Sequence, residues 1–152
     1  MKTDYAALEA ACEKIRVENA ALRARFREWL GSQGLSARTV DRHDSNVRVY
    51  TDDYLLYEDA NEASRGASGA ELRMFFDYWF LRKCMWSSPT SMRDMAASLK
   101  KFYAFMHERG EITPKALKEL NSSIKLGLPD WLDALRRYDD PDEDEDEDSW
   151  GL

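Results

Sequence analysis

Apolar residues recur along almost the whole chain at intervals of three and four positions, which is the spacing of one face of an α-helix. The alternation of apolar and polar residues that would predict strands is weak throughout. Glycine, proline and short polar runs interrupt the helical pattern at several points. The pattern therefore predicts an all-α fold, a bundle of five to six helices in which the N-terminal helix is extended.

Residues typical of helix ends divide this pattern into individual helices. The first predicted helix covers residues 4–30, and the second runs from an N-cap at Ser36 to about Tyr57. A polar loop over residues 58–69 precedes a third helix at residues 70–85. The last three helices each open at a proline: Pro89 after the N-cap Ser88, with a stop at Gly110; Pro114 after Thr113; and Pro129, followed by a short helix over residues 130–138.

The first helix carries a seven-residue repeat that is typical of coiled coils. An asparagine, Asn19, occupies one of the core positions, where a buried polar residue fixes the register of dimeric coiled coils. Residues 4–30 are therefore predicted either to form a parallel homodimer or to pack as an amphipathic helix on their own domain, and the pattern leaves both open. The repeat positions are Tyr5, Cys12, Asn19 and Phe26 at a, and Leu8, Ile15, Leu22 and Trp29 at d.

The net charge of −7 is unevenly distributed over the 152 residues. Residues 139–152 contain nine carboxylate side chains and no basic residue, which leaves 20 acidic against 22 basic side chains in the rest of the chain. A run of this composition cannot bury apolar surface, so a disordered acidic tail is predicted. Its role is either to solvate the chain or to compete, as a polyanion, with nucleic acid for a basic face.

No catalytic or metal-binding motif is found. The two histidines, His43 and His107, lack metal ligands at short spacing, and there is no dinucleotide-binding glycine motif and no P-loop. His43 falls on an apolar helix face, which predicts a partly buried, hydrogen-bonded side chain, whereas His107 is placed to interact with a helix C-terminus. We therefore expect no enzyme activity, no cofactor and no metal.

The cysteines and the hydropathy favour a cytoplasmic protein. Cys12 and Cys84 form neither a CxxC motif nor a disulfide framework. No run of about 18 apolar residues is present, so no membrane span is expected, and the polar N-terminus lacks the apolar core of a secretion signal.

Basic residues lie opposite the apolar faces of the second and fourth predicted helices. On the fourth helix they alternate with Ala97 and Ala104, and small residues beside cations let a helix approach a phosphate backbone closely. The alternative interpretation is an ordinary solvated helix surface. The candidate DNA-binding residues are Arg38, Arg42, Arg93, Lys100 and Lys101.

Two segments together resemble a known family. The first reads Trp29-Leu30, Gly34-Leu35-Ser36, Thr39-Val40, His43, Val47 and Tyr50; the second reads Leu99-Lys100-Lys101-Phe102-Tyr103, then Gly110-Glu111-Ile112. In this order, residues 26–114 resemble the core-binding (SAM-like) domain that precedes the catalytic domain of tyrosine recombinases and phage integrases. His43 stands where a tyrosine is usual, and Thr113-Pro114 replaces Asn-Pro.

The resemblance implies a helical core-binding domain over residues 26–138 that clamps double-stranded DNA, with Lys100 at the family's basic position. The family's catalytic Arg, Lys, His-x-x-Arg and Tyr belong to a downstream domain, and His107-Glu108-Arg109 is one residue too short for the His-x-x-Arg motif. We therefore expect a non-catalytic DNA-binding module that regulates recombination or transcription, with a full-length recombinase as a candidate partner. The alternative is a protein-interaction adaptor that uses the acidic tail and the aromatic third helix, with Phe75, Phe76, Tyr78, Trp79, Phe80 and Trp86.

Overall fold

The computed structural model describes residues 2–84 and 87–139, and within these ranges the chain is helical apart from its connecting segments, with no strand. This confirms the predicted all-α helical bundle. The predicted acidic tail and Trp86 lie outside the described residues, except for Asp139 at the end of the last helix. The described residues form five main helices: α1 (Lys2–Ser32); α2 (Ala37–Arg48, extended by a π-helical segment, Val49–Tyr54); α3 (Gly69–Met74, then π-helical Phe75–Trp79, then Phe80–Lys83); α4 (Pro89–Glu108); and α5 (Pro114–Asp139). A short 3-10 helix, Ala63–Gly66, lies in the connection between α2 and α3.

Local side-chain chemistry sets most of the helix ends. The Ser36 hydroxyl accepts a hydrogen bond from the backbone N–H of Thr39 at 3.3 Å, which caps α2 as predicted. Ser88 and Ser91 form a reciprocal capping box at the start of α4. The backbone of Gly110 has a φ of +76°, a left-handed conformation that stops α4 where the sequence predicts a stop.

The predicted fifth and sixth helices are a single helix, α5, and Pro129 lies inside it. The prediction of a helix start at Pro129 is therefore wrong. Proline has no N–H to donate to the carbonyl of Lys125, but the buried side chains continue at helical spacing on both sides of it, through Ile124 and Trp131. Packing of this continuous apolar stripe on the core outweighs the missing hydrogen bond.

The core is built around α4, which packs between α2 and α5, while α1 covers α2 and α3 packs against α5. The buried face of α4 includes Leu99 and Phe102. Phe102 meets Phe26 of α1 edge to face at 5.3 Å between ring centroids, and Phe76 of α3 stacks on Trp131 of α5 at 4.4 Å. These aromatic contacts join α1 to the central helix α4 and join α3 to α5.

Helix α1 packs on its own chain along most of its length. Cys12 and Ile15 lie against Leu56, and Asn19 is 2% exposed. The side-chain amide of Asn19 donates to Asp52 Oδ1 at 2.8 Å rather than to a second copy of itself. In the structure, residues 4–30 thus pack as an amphipathic helix on their own domain, which is one of the two predicted arrangements. The homodimer stays a prediction, but the heptad side chains from Cys12 onward already have partners within the chain.

Within the described residues, no helix combines the length and the apolar character that are needed to cross a bilayer.

Candidate nucleic-acid interface

The five predicted DNA-binding residues form two groups: three lie on α4 and two, Arg38 and Arg42, lie on α2. Ala97, which is exposed, and Ala104 form a ridge along α4 between the two groups. One group faces α5 and contains Arg93 and Lys100. The other lies along the junction of α4 with α2 and contains Arg38, Arg42 and Lys101, of which only Lys101 is half-buried and the other two are exposed.

The group beside α2 is partly neutralised. Arg42 Nε lies 3.9 Å from Oδ2 of Asp94, so the charge nearest the centre of this junction has a counterion on α4. Arg38 precedes Arg42 by one helical turn. A surface pair of this kind contributes little to stability, but it lowers the positive potential that is available to a phosphate.

His43 links α2 to α4 beneath these charges. It is 4% exposed, and its Nδ1 lies 2.7 Å from the hydroxyl oxygen of Ser98, which also accepts a hydrogen bond from the amide of Asn46 at 3.0 Å. Burial, followed by the positive charges of Arg42 and Lys101, lowers the pKa of His43 below its usual value. The predicted hydrogen bonding of His43 is confirmed, and its side chain is more deeply buried than the partly buried position that the sequence predicts.

The group beside α5 forms part of a groove, the α4–α5 groove, of about 940 Å³. Four cationic side chains line it, Arg93 and Lys100 from α4 and Lys118 and Lys125 from α5, and no carboxylate does. All four are exposed, and none has an ion-pair partner among the described residues. The apolar part of the lining comes from Ala96, Ala97, Pro114, Leu117, Ile124, Leu128, Pro129 and Leu132.

Lys118 and Lys125 are the site residues that sequence reasoning missed. They are seven positions apart, so two turns of α5 place both on the same side of the helix beside the buried stripe. This spacing is visible in the sequence. What the sequence does not contain is the tertiary fact that α5, rather than another helix, lies next to Arg93 and Lys100.

The wall of the α4–α5 groove also holds an unpartnered acceptor. The side-chain carbonyl oxygen of Asn121 is buried and has no hydrogen-bond donor among the described residues. Buried acceptors normally find a donor, so an N–H group brought to this position would satisfy an oxygen that the described residues leave unpaired. Phosphate diesters have no such donor.

The residues that carry the family resemblance are mostly core residues. Tyr50 and Tyr103 are fully buried, and their hydroxyls donate to the carbonyls of Gly66 and Ala63, each at 2.7 Å. Burial raises the pKa of both hydroxyls well above the usual value. They hold the connection between α2 and α3 on the bundle, and their hydroxyls are not surface groups.

The aromatic residues assigned to the adaptor alternative also belong mainly to the core. Phe75, Phe76 and Phe80 are fully buried, so they do not form an external recognition surface. Tyr78 is 53% exposed and borders a cavity of about 360 Å³, where the buried indole N–H of Trp79 has no acceptor among the described residues. The surface left for a partner on α3 is therefore smaller than the sequence indicates.

The described residues contain no group of three or more His, Cys, Asp and Glu side chains that could hold a metal ion. Cys12 and Cys84 are buried free thiols, and burial raises the pKa of Cys84 to about 11. His107 lies in the last turn of α4, as expected, and also borders the α4–α5 groove.

Comparisons of the chain with family models, with curated proteins and with solved structures return no match.

Proposed function

We propose that the chain is a non-catalytic module that binds double-stranded DNA through the phosphate backbone, using the face centred on α4. In this role it occupies DNA sites and thereby regulates recombination or transcription, with a full-length recombinase as the partner that the resemblance implies. The proposal is supported by the charges of this face and by the resemblance of residues 26–114.

The observation that carries the proposal is the set of four unpaired cations on the α4–α5 groove. A chain with a net charge of −7 has no general tendency to bind DNA, so binding requires a local excess of positive charge. Arg93 and Lys100 are one cationic row and Lys118 and Lys125 are another, with no carboxylate between them. Phosphate contacts of this kind supply affinity without reading the sequence.

The direct test is a titration of a fluorescently labelled DNA duplex at low and moderate salt. Two full-length proteins are compared: the natural chain, and an amide-tail chain in which the seven carboxylates of residues 142–148 are replaced by Asn or Gln. Neutralising two groove cations, as Lys118→Gln with Lys125→Gln, should weaken binding in either protein. The loss should be largest at low salt, since phosphate contacts dominate there.

A matched control removes the same charge elsewhere. Lys14 and Arg25 are exposed on α1 and do not line the α4–α5 groove, so Lys14→Gln with Arg25→Gln should leave the affinity almost unchanged. Equal losses from both pairs would mean that net charge alone governs binding. Absence of binding by both the natural and the amide-tail chain at low salt would reject the DNA proposal.

One observation favours the adaptor as a second candidate. Met74 and Tyr78 are more than half exposed beside the cavity that holds the unpartnered indole N–H of Trp79. An exposed apolar surface next to a buried donor suits a protein ligand that supplies a carbonyl oxygen. If the chain binds no DNA, Tyr78→Ser and the indole of Trp79 become the positions to test in a search for protein partners.

A further inference from the structure

The α4–α5 groove is better matched to a peptide than to phosphates alone. Its rims carry four cations, but its floor is apolar, with Leu117, Leu128 and Leu132 half-buried along α5. Asn121 adds an unpartnered acceptor that an N–H donor would satisfy. An occupant that uses the whole groove would have carboxylates for the rims, an apolar side chain for the floor and an N–H for Asn121.

The chain itself contains a segment with this chemistry. Residues 142–148 are seven consecutive carboxylates, and Ser149-Trp150-Gly151-Leu152 follows directly. The carboxylates complement the unpaired cations, while Trp150 has both a large apolar surface and an indole N–H. These residues lie outside the described part of the chain.

The covalent connection allows the segment to reach the groove. Helix α5 ends at Asp139, and the helical rise places Lys125 about 21 Å back along the axis. An extended stretch of nine residues spans about 30 Å, so the acidic run and Trp150 can return along α5 to the level of Lys125 and beyond. Tethering over so short a distance gives an effective concentration near millimolar, which favours even weak contacts.

We propose that residues 141–152 bind in cis to the α4–α5 groove, with the carboxylates on its four cations and Trp150 on its apolar floor. Binding of the segment to the groove needs nothing from DNA. Its consequence, that the segment covers the cations used for phosphate contacts and lowers DNA affinity, rests on the proposed function.

The test places a nitroxide spin label at residue 149, by Ser149→Cys in the full chain, and records the broadening of backbone amide signals by NMR. Labelling is selective because Cys12 and Cys84 are buried. We expect strong broadening at the groove residues of α4 and α5 at low salt, and loss of most of it as salt rises. Paramagnetic broadening that is absent from the groove at low salt overturns the proposal.

Charge reversal in the groove supplies the matched comparison. Lys118→Glu with Lys125→Glu should abolish the broadening, whereas Lys14→Glu with Arg25→Glu, which changes the net charge equally, should leave it in place. Broadening that spreads equally over α1 would show diffuse attraction and overturn the assignment to the groove. The salt series needs no groove variant, so it remains decisive if the charge-reversed chain fails to fold.

Mixing distinguishes the chain's own segment from that of a second copy. An isotope-labelled chain without nitroxide is mixed with an unlabelled chain that carries it. If the broadening at the groove appears as strongly in this mixture as in the singly labelled sample, the segment binds in trans and the proposal is wrong. Little broadening in the mixture supports binding in cis.

The DNA titration separates this inference from the proposed function. If the segment docks, the amide-tail chain should bind the duplex several-fold more tightly than the natural chain at low salt. Docking without DNA binding by either chain would reject the proposed function and retain the docking. Equal DNA binding by both chains, without docking, would reject the docking and retain the proposed function.

Discussion

Gly66 is the residue where the connection between α2 and α3 comes closest to the core. Its carbonyl accepts a hydrogen bond from the hydroxyl of Tyr50. A Cβ at this position would lie 2.6 Å from the Tyr50 ring and even closer to the hydroxyl oxygen of Tyr103. Because both rings are fully buried, neither can move aside without disturbing its own packing. The absence of a side chain at Gly66 is therefore a packing requirement.

Gly66→Ala should lower the free energy of unfolding by about 2 kcal/mol, since overpacking a well-filled core commonly has a cost of this size. Gly31→Ala is the control: Gly31 lies in the last turn of α1 with no atom near a new Cβ, so alanine there should be neutral or slightly stabilising. Urea denaturation of the three proteins measures both effects. Equal stabilities for the Gly66 and Gly31 variants would contradict the packing argument.

His43 should make stability depend on pH. Its pKa in the folded chain is lowered by burial and by nearby positive charges, so the unfolded chain binds the proton more readily. The free energy of unfolding is therefore unaffected by this proton above the pKa of the unfolded histidine, about 6.5. It decreases as the pH falls from there towards the lower pKa of His43 in the folded chain. His43→Gln, which cannot be protonated, should lose less stability than the natural chain between about pH 7 and 5.5.

Thermal or urea unfolding at several pH values measures this difference, and subtracting the variant removes the contributions of other groups. Parallel pH profiles for the two chains would show that protonation of His43 is not coupled to folding.

At the scale of elements, the sequence predicted helix ends better than helix continuity. Ser36, Ser88 and Gly110 act through their own side chains or backbone and their nearest neighbours, so local chemistry was enough to recognise them. Pro129 shows the limit of such signals. Its local preference is to begin a helix, but the stripe through Ile124 and Trp131 packs on the core from both sides and keeps α5 continuous.

The first helix shows a second limit. A heptad repeat records that one face of α1 is apolar, but it does not record which surface covers that face. Here the covering surface belongs to the same chain, and the Asn19 amide donates a hydrogen bond to Asp52 rather than to the Asn19 of a second helix. The two arrangements predict opposite effects when the asparagine is replaced.

Asn19→Leu should destabilise the chain by about 1–3 kcal/mol, because it leaves the part-buried carboxylate of Asp52 and the carbonyl of Thr51 without the amide donor of Asn19. In a dimeric coiled coil, the same change at an a position would increase stability at the expense of register. Val17→Leu, at a position that is 64% exposed, is the neutral control.

Urea denaturation at two protein concentrations tests both points. We expect lower stability for Asn19→Leu and the same midpoint at both concentrations in the natural chain. A midpoint that rises with concentration would indicate folding coupled to dimerisation.

At the scale of the whole molecule, the fold class followed from periodicity, but the site could be predicted only in part. Arg93 and Lys100 were found because they lie opposite the apolar face of their own helix. Lys118 and Lys125 join them through the packing of α5 on α4, and Asp94 neutralises Arg42 through the packing of α4 on α2. The packing of the helices decides which charged side chains lie together and which are paired with a counterion. The sequence pattern of a single helix therefore could not predict it.

The chain should neither cleave nor join duplex DNA. A covalent phosphotyrosyl link requires an accessible hydroxyl together with basic groups that activate the phosphate, and this sequence has no match to the family's His-x-x-Arg motif. The hydroxyls of Tyr50 and Tyr103 are in addition buried, with pKa values raised by that burial. Denaturing electrophoresis of the chain after incubation with a labelled duplex should show no adduct. A labelled band at the position of the protein would contradict the prediction, and mass spectrometry would then identify the tyrosine, with Tyr5, Tyr57 and Tyr78 as the most exposed among those whose side chains the structure describes.

The number of phosphate contacts can be counted from the dependence of DNA affinity on salt. If the four groove cations each neutralise one phosphate, the slope of log K against log salt in the amide-tail chain should be about −3.6. Each single replacement by Gln should then reduce its magnitude by about one, as for Lys118→Gln, while Arg42→Gln should reduce it less because Arg42 already has Asp94 as a counterion.

If the carboxylates of residues 142–148 occupy the same cations in the natural chain, as we propose, DNA must first displace them, so fewer ions are released on binding. The slope of the natural chain should therefore be shallower than that of the amide-tail chain, and the difference counts the ion pairs that the acidic segment makes. Lys14→Gln, on α1 and outside the groove, should change neither slope. Equal slopes for the two chains, with a clear loss on Lys118→Gln, would mean that phosphates use these cations without competition from the segment.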